Sequence, residues 1–315
     1  MAVKPEMKER DFIDWIIQQT KLDPKAVPVG PGDDCAIVRL GGEQVLVTTD
    51  QVLDGVHFIL AEHGPRAAGR KAMARNLSDI AAMAAVPTAA VATVSLPRGM
   101  ARRDVEAIYL GLRSVGDEFH CPLVGGDVGV WDGPLAISVT VFGRRAGVTG
   151  GIEPVLRRGA KPGNALCVTG SLGGAWRSSR HLEFAPRVAE AICLAMNYGI
   201  KAMIDLSDGL ATDLGHLCRA SGVGADVYAE QVPVSAAASD LAKNPADALN
   251  AALCDGEDYE LLFALPARLA RKLCEDQPLP VKVTRIGRFV AGSEITLVHG
   301  DGRRDPLAGG WEHQT

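Results

Sequence analysis

What most constrains this chain is an alternation of two hydrophobic periods, present in two stretches and absent from a passage between them. Short β-branched runs with apolar residues at every second position predict strands at 35–40, 45–49, 88–96, 122–124 and 135–143. Between them, apolar residues at three- and four-residue spacing predict helices at 11–19, 65–85 and 101–119. Residues 144–161 are rich in glycine and arginine and carry neither period, which predicts a boundary near 147 and two domains, 1–146 and 147–315. The mixed pattern then resumes, with strands at 165–169, 202–205, 225–229, 259–264, 281–286 and 294–298 and helices at 186–198, 210–220 and 266–274. Strands separated by helices in both halves predict an α/β or α+β fold.

The balance of residues narrows the function classes. Of 315 residues 47% are hydrophobic and 23% charged, as in a globular domain, and a net charge of -5 argues against a nucleic-acid backbone as main partner. No apolar run approaches the length of a membrane span and the mixed-charge start lacks a signal-peptide core, so the expected location is cytoplasmic, with no membrane partner. Seven scattered cysteines without a C-x-x-C pair predict reduced thiols rather than a disulfide framework or zinc site.

The common nucleotide-binding signatures are missing. Gly64 to Gly69 has the glycine spacing of a phosphate-binding loop, but Arg70 and Lys71 follow where Lys and Ser/Thr belong, and Gly222-Val223-Gly224 lacks a third glycine. What stands out is a series of aspartates beside small residues at predicted strand ends and turns: Asp33-Asp34, Thr48-Thr49-Asp50, Ser78-Asp79, Gly125-Gly126-Asp127 and Asp205-Leu206-Ser207-Asp208. Magnesium takes oxygen ligands, commonly one or two carboxylates with water and substrate phosphates, so scattered aspartates could gather several ions around a polyphosphate. Each aspartate taken singly is equally at home as a cap or turn residue, and calcium held without catalysis also fits the series.

At these residues the sequence resembles the thiamine-monophosphate kinase family, through Gly32-Asp33-Asp34-Cys35-Ala36, Thr48-Thr49-Asp50 with Gly55-Val56-His57-Phe58, Asn76-Leu77-Ser78-Asp79, Gly125-Gly126-Asp127, Asp205-Leu206-Ser207-Asp208-Gly209 and Gly256-Glu257-Asp258-Tyr259. The resemblance spans nearly the whole chain. It implies a two-domain aminoimidazole ribonucleotide synthetase-like architecture, with an N-terminal sheet domain that pairs with a second subunit as a homodimer and a C-terminal α+β domain. It also implies transfer of the γ-phosphoryl of ATP to thiamine monophosphate, assisted by several Mg2+ ions. By motif, Asp34, Thr48, Thr49, Asp50, Asp79, Asp127, Asp205 and Asp208 match magnesium positions. Gly126, Arg157 and Ser207 match ATP contacts, and His57, Glu257 and Trp311 match substrate contacts. No general base is required, because the acceptor is already an anionic phosphate.

The bland alternatives are a solvent-facing loop for His57, a solvated Arg157, a strand-end turn for Glu257 and a tail anchor for Trp311. The chain also departs from the family pattern. Met83-Ala84-Ala85 stands where Met-Gly-Ala is usual, a difference of one methyl group. Asp255-Gly256 replaces a Gly-Gly pair, Val128 replaces a common threonine, and the 170–181 stretch is short. These departures leave open a related kinase or synthetase acting on another small metabolite, or a non-catalytic nucleotide-binding relative.

Overall fold

The computed structural model describes residues 9–147, 151–307 and 309. Helix α1 (Glu9–Gln19) leads to a hairpin of β1 (Ala36–Leu40) and β2 (Glu43–Leu53), whose turn residues Gly41 and Gly42 both take positive φ, 59° and 96°. A two-residue turn of that kind matches the twist of the strands it joins. Then follow α2 (Leu60–Ala82), β3 (Ala85–Pro97), α3 (Arg102–Glu118), β4 (Leu123–Trp131) and β5 (Ala136–Arg145), giving a five-stranded sheet in the order β1-β2-β5-β3-β4. Only β3 and β4 run parallel, with α3 as the crossover.

Helices α2 and α3 cover one face of this sheet. They approach closely because Gly69 and Gly111 meet at the crossing: a Cβ on Gly69 would lie 2.1 Å from the carbonyl oxygen of Ile108, and one on Gly111 would lie 2.1 Å from that of Arg66. Regular α2 geometry begins at Pro65, after a break at Gly64 (φ 75°), since proline suits a first helical position and cannot donate to the turn before it. Alternation along the strands sends Thr48, Asp50 and Val52 of β2 toward the helices and Thr49 and Gln51 toward the open face.

The second half builds a seven-stranded sheet from β6 (Asn164–Thr169), β7 (Ala202–Asp205), β8 (Gly224–Tyr228), β9 (Leu261–Pro266), β10 (Val283–Val290), β11 (Ile295–Val298) and β12 (Arg304–Pro306), in the order β12-β11-β8-β10-β6-β9-β7. Its helices are α4 (Arg180–Glu183), α5 (Val188–Tyr198), α6 (Leu210–Ser221), α7 (Ala236–Leu241), α8 (Pro245–Cys254) and α9 (Ala267–Asp276). Strand β6 is buried on both sides: Leu166 and Val168 join the apolar cluster of α6 and α8, while Ala165 and Cys167 join that of α5 and α9. Ala81 and Ala84 belong to the α5–α9 cluster too, so the end of α2 packs on the second sheet.

Three differences from the sequence reading have clear causes. Gly125-Gly126-Asp127 lies within β4, an edge strand far longer than the predicted 122–124, rather than in a turn. Its glycines serve close strand approach, since a Cβ on Gly126 would sit 1.8 Å from the carbonyl oxygen of Ala92. Helices α7 and α8 occupy a stretch to which the sequence pattern assigns no element, and each is capped by a side chain, Ser235 accepting from the Ala238 amide and Asn244 from the Asp247 amide. Ala84 has φ 52°, the left-handed region that glycine enters freely, so its extra methyl is a backbone matter and not a mild packing change.

The boundary expected at 147 falls between the sheets, beside residues 148–150, which lie outside the described residues. The 151–161 passage is fixed to the first half: Val155 donates to the Met83 carbonyl at 3.0 Å and the Arg157 amide to Asp33 Oδ1 at 3.0 Å. All seven cysteines are free thiols. Among the described residues no helix is long and apolar enough to cross a membrane.

Candidate active site

Helix α2 carries the site on one face. Lys71, Arg75, Ser78 and Asp79 recur at three- to four-residue spacing and so project in one direction, toward the loops that end β2 and begin α6. Thr48 Oγ1 donates to Asp79 Oδ2 at 2.5 Å, the Asp50 amide donates to Asn76 Oδ1 at 3.0 Å, and Ser78 Oγ donates to Asp205 Oδ2 at 2.6 Å. Through these bonds one helix aligns the acidic end of β2 with the acidic end of β7.

The result is an acidic trio. Carboxylate oxygens of Asp34, Asp79 and Asp205 lie within 4.8 Å of one another. Burial, then Asp50, Asp205 and Asp34, push the Asp79 carboxyl well above its ordinary range, and burial, then Asp34, pushes Asp205 up to about 7. Arg157 offsets part of this charge by donating to Asp34 Oδ1 from Nη2 at 2.7 Å and Nε at 3.2 Å, while Asp34 Oδ2 is buried with no protein partner. An orphaned buried carboxylate oxygen facing like charges is a coordination position for a cation. Asp208, Asp213 and His216 form a second group at the same spacing, in which Asp213 Oδ2 already accepts the Asp208 amide at 3.1 Å.

Beside the trio is a cavity of about 310 Å³, whose lining includes His57, Arg75, Trp176, Ser207, Asp208 and Glu257. Arg75, on the cavity wall, reaches Asp50 next to the trio, its Nε 3.2 Å from Asp50 Oδ2, and Asp50 in turn acts on the Asp79 carboxyl. Glu257 (φ 59°) and Tyr259 (φ 51°) both hold left-handed backbone, a strain of the kind that collects at functional sites. Tyr259 donates to Glu257 Oε2 at 3.1 Å. Lys71 has no exposed side-chain surface, and its Nζ contacts Glu257 Oε2 at 2.5 Å and donates to the His57 carbonyl at 2.6 Å. Burial, only partly opposed by Glu257, lowers its pKa to about 8. His57 is buried, not solvent-facing, and its Nδ1 accepts the Leu53 amide at 3.1 Å, which assigns the ring proton to Nε2.

The structure therefore brings Asp34, Thr48, Asp50, Asp79, Asp205 and Arg157 together at one focus, and His57, Ser207, Asp208 and Glu257 at the adjoining cavity. It does not bring Thr49 and Asp127 there. Thr49 follows Thr48 along an extended strand and so faces the opposite side of the sheet, where Thr140 donates to it at 3.0 Å, and Asp127 is in register with Thr93 on that same open face. Gly126 has the strand-packing role described above. Trp311 lies outside the described residues. Lys71, Arg75, Ser78 and Trp176 were not among the candidates. For the first three, the signal was their spacing with Asp79 on an alanine-rich helix.

Comparison with known proteins identifies the family to which this fold belongs. The description AIR synthase related protein, N-terminal domain, matches residues 32–145, and AIR synthase related protein, C-terminal domain, matches residues 161–300. The thiamine-monophosphate kinase of Rhodopirellula baltica is 38% identical over 90% of this chain and 89% of its own, and that of Caulobacter vibrioides is 31% identical over 98% of both. Among solved structures, AaThiL complexed with AMPPCP and TMP superposes with a TM-score of 0.80 at 29% identity, covering 99% of each chain. On this likeness along its whole length, the chain belongs to the thiamine-monophosphate kinase family.

Proposed function

We propose that this chain transfers the γ-phosphoryl group of ATP to the phosphate of thiamine monophosphate, giving ADP and thiamine diphosphate. The observation that carries the reading is the junction of the Asp34–Asp79–Asp205 trio with a small-molecule cavity, in a chain whose relatives bear that enzyme's name.

The donor set fits magnesium: all oxygen, three carboxylates, one of them orphaned, with Asp50 and Asp208 close by. Bound there, the ions would neutralise the charge of the two phosphate groups. The chain's own residues perform the remainder. Arg157 and Ser78 would orient the carboxylates, while His57, Ser207 and Glu257, the last held by Lys71, line the acceptor pocket. The acceptor's phosphate monoester has a second pKa of about 6 and is a ready nucleophile at neutral pH, so no side chain need remove a proton.

A homodimer belongs to the same reading. The edge strand β4 exposes Val124, Val128, Val130 and Trp131, an apolar edge that a second copy would cover. Such an enzyme of coenzyme biosynthesis would work in the cytoplasm.

Mass-spectrometric identification of products after incubation with ATP, magnesium and thiamine monophosphate tests the proposal. Thiamine diphosphate is the expected product. Turnover only with a different acceptor, or nucleotide binding with no turnover, would refute it.

A further inference from the structure

Two departures from the family pattern, Asp255 and the 170–181 stretch, meet in space. Asp255 Oδ2 accepts the Gly174 amide at 3.1 Å, and the neighbouring Asp258 accepts the Gly173 amide at 3.0 Å and Arg180 Nη2 at 2.5 Å. Arg180 also donates to the Ser171 carbonyl at 2.8 Å, and Ser235 Oγ to the Gly173 carbonyl at 2.6 Å. A loop with two consecutive positive-φ glycines, Gly173 and Gly174, is thus tied down at every turn. The side chain it presents to the cavity is Trp176.

The ring is held as firmly as the loop. His181 stacks on Trp176 with centroids 4.5 Å apart and planes 19° apart, and His63 meets both rings edge-on. His181 is fully buried and its Nδ1 donates to the Ala175 carbonyl at 3.1 Å, while burial, then Lys71, lowers its pKa to about 4, so it stacks as a neutral ring. With one face backed by His181, Trp176 remains 37% exposed at the cavity. Asp208, Asp255 and Glu257 line the cavity with Arg75, and the Lys71 ammonium, paired with Glu257, lies 5.5 Å from the Trp176 ring centroid, so carboxylates still outnumber cations around the ring, three to two. An aromatic face among carboxylates favours a flat, positively charged heteroaromatic ring.

We propose that Trp176 is a specificity-determining residue of the acceptor cavity, a wall against which the cationic heteroaromatic part of the substrate stacks, fixed in place by the tie from Asp255 to Gly174. The inference rests on the reading of this cavity as the thiamine monophosphate site and names a substrate contact for it. The wall orients the acceptor's ring system and makes no contact with the reacting phosphate, so its loss falls mainly on substrate affinity.

Steady-state kinetics of Trp176→Leu and Trp176→Phe, with direct titration of thiamine monophosphate followed by tryptophan fluorescence, provides the test. Trp176→Leu should raise KM for thiamine monophosphate about tenfold, with a smaller effect on kcat and none on KM for ATP, as loss of a cation–π contact implies. Trp176→Phe should restore KM to within about threefold, because phenylalanine keeps a weaker aromatic face. The same Phe variant should lose most of the fluorescence change that thiamine monophosphate produces in the parent chain. If the parent turns over thiamine monophosphate and Trp176→Leu keeps its KM, or Trp176→Phe keeps the full fluorescence response, the assignment of Trp176 is overturned. A parent chain that does not phosphorylate thiamine monophosphate overturns the functional reading itself.

Discussion

Replacing Lys71 by Met separates a structural ammonium from a functional one. The lowering of its pKa from 10.5 to about 8 corresponds to roughly 3 kcal/mol of burial cost beyond what Glu257 returns. Met keeps the length of the stem and removes that cost, but it leaves the His57 carbonyl without its donor and Glu257 with Tyr259 alone, a loss of about 1–3 kcal/mol in orphaned polar groups. The two nearly cancel, so urea denaturation should find Lys71→Met within about 2 kcal/mol of the parent. Activity has no such compensation. Without the ammonium, Glu257 is no longer held at 2.5 Å, and losing a charge-assisted bond of about 1.5–3 kcal/mol lowers kcat/KM for thiamine monophosphate roughly 10- to 150-fold.

The pH dependences of activity and stability then run in opposite directions. Below pH 8 the folded chain carries the ammonium and bears its burial cost in full. Between pH 8 and 10.5 the folded chain has released that proton while the unfolded chain still binds it, so this group's contribution to stability rises with pH. Activity falls over the same range as the partner of Glu257 loses its charge. In Lys71→Met the alkaline limb near pH 8 and the matching stability slope should both disappear. Unchanged kcat/KM in Lys71→Met, or an alkaline limb that survives the substitution, would refute the reasoning; so would a variant too unstable to fold, which would make Lys71 structural.

Three further outcomes are expected. Asp79→Asn should abolish turnover and also cancel the rise in melting temperature that magnesium gives the parent, without lowering melting temperature in the metal-free protein, since one of three mutually repelling carboxylates is gone. Sedimentation at micromolar concentration should show twice the 33.2 kDa chain mass, and Val128→Arg on the exposed edge strand should shift the protein to monomer. Ala84→Gly should change stability by less than about 1 kcal/mol, because relief of about 1–2 kcal/mol of left-handed strain is offset by a lost buried methyl of about 0.8 kcal/mol and by glycine's extra chain entropy. A loss of several kcal/mol in denaturant melts would show that the Ala84 methyl, and not its backbone, matters.

Much of this architecture is legible in the sequence because hydrophobic period is a local property. Strands such as Ala202–Asp205 and helices such as Leu210–Ser221 appear within a residue or so of their reading. Asp34, Asp79 and Asp205, which the fold gathers, stood out in the sequence because aspartate beside glycine and serine is a chemical signal that needs no coordinates, whereas Asp127 gave the same signal and lies elsewhere. What escaped depends on tertiary context. Gly125-Gly126 punctuates like a turn, yet its glycines let β4 approach β3. Thr48, Thr49 and Asp50 match one motif, but consecutive strand residues cannot all face one side. Lys71 looks like an ordinary solvated lysine on an alanine-rich helix until Glu257, far along the chain, is folded against it.

His57 shows how one hydrogen bond decides between two mechanisms. An imidazole that accepts the Leu53 amide at Nδ1 carries its proton on Nε2, so that nitrogen is a donor and Nδ1, the basic nitrogen, is already engaged. General-base catalysis would require that bond to break and the loop between β2 and α2 to rearrange. The variant that isolates the question is His57→Asn, whose carbonyl oxygen can occupy the place of Nδ1 and keep the Leu53 amide satisfied, while the reach to the Nε2 position is lost. Loss of one neutral hydrogen bond, worth about 0.5–1.5 kcal/mol, predicts a rise of roughly 2- to 13-fold in KM for thiamine monophosphate with little change in kcat. His57→Gln reaches the Nε2 position with its amide and should recover part of that affinity, though at the expense of the loop bond. A fall of several orders of magnitude in kcat at unchanged KM would instead place a proton transfer at His57, and with it the need for a base that an already ionised phosphate acceptor does not have.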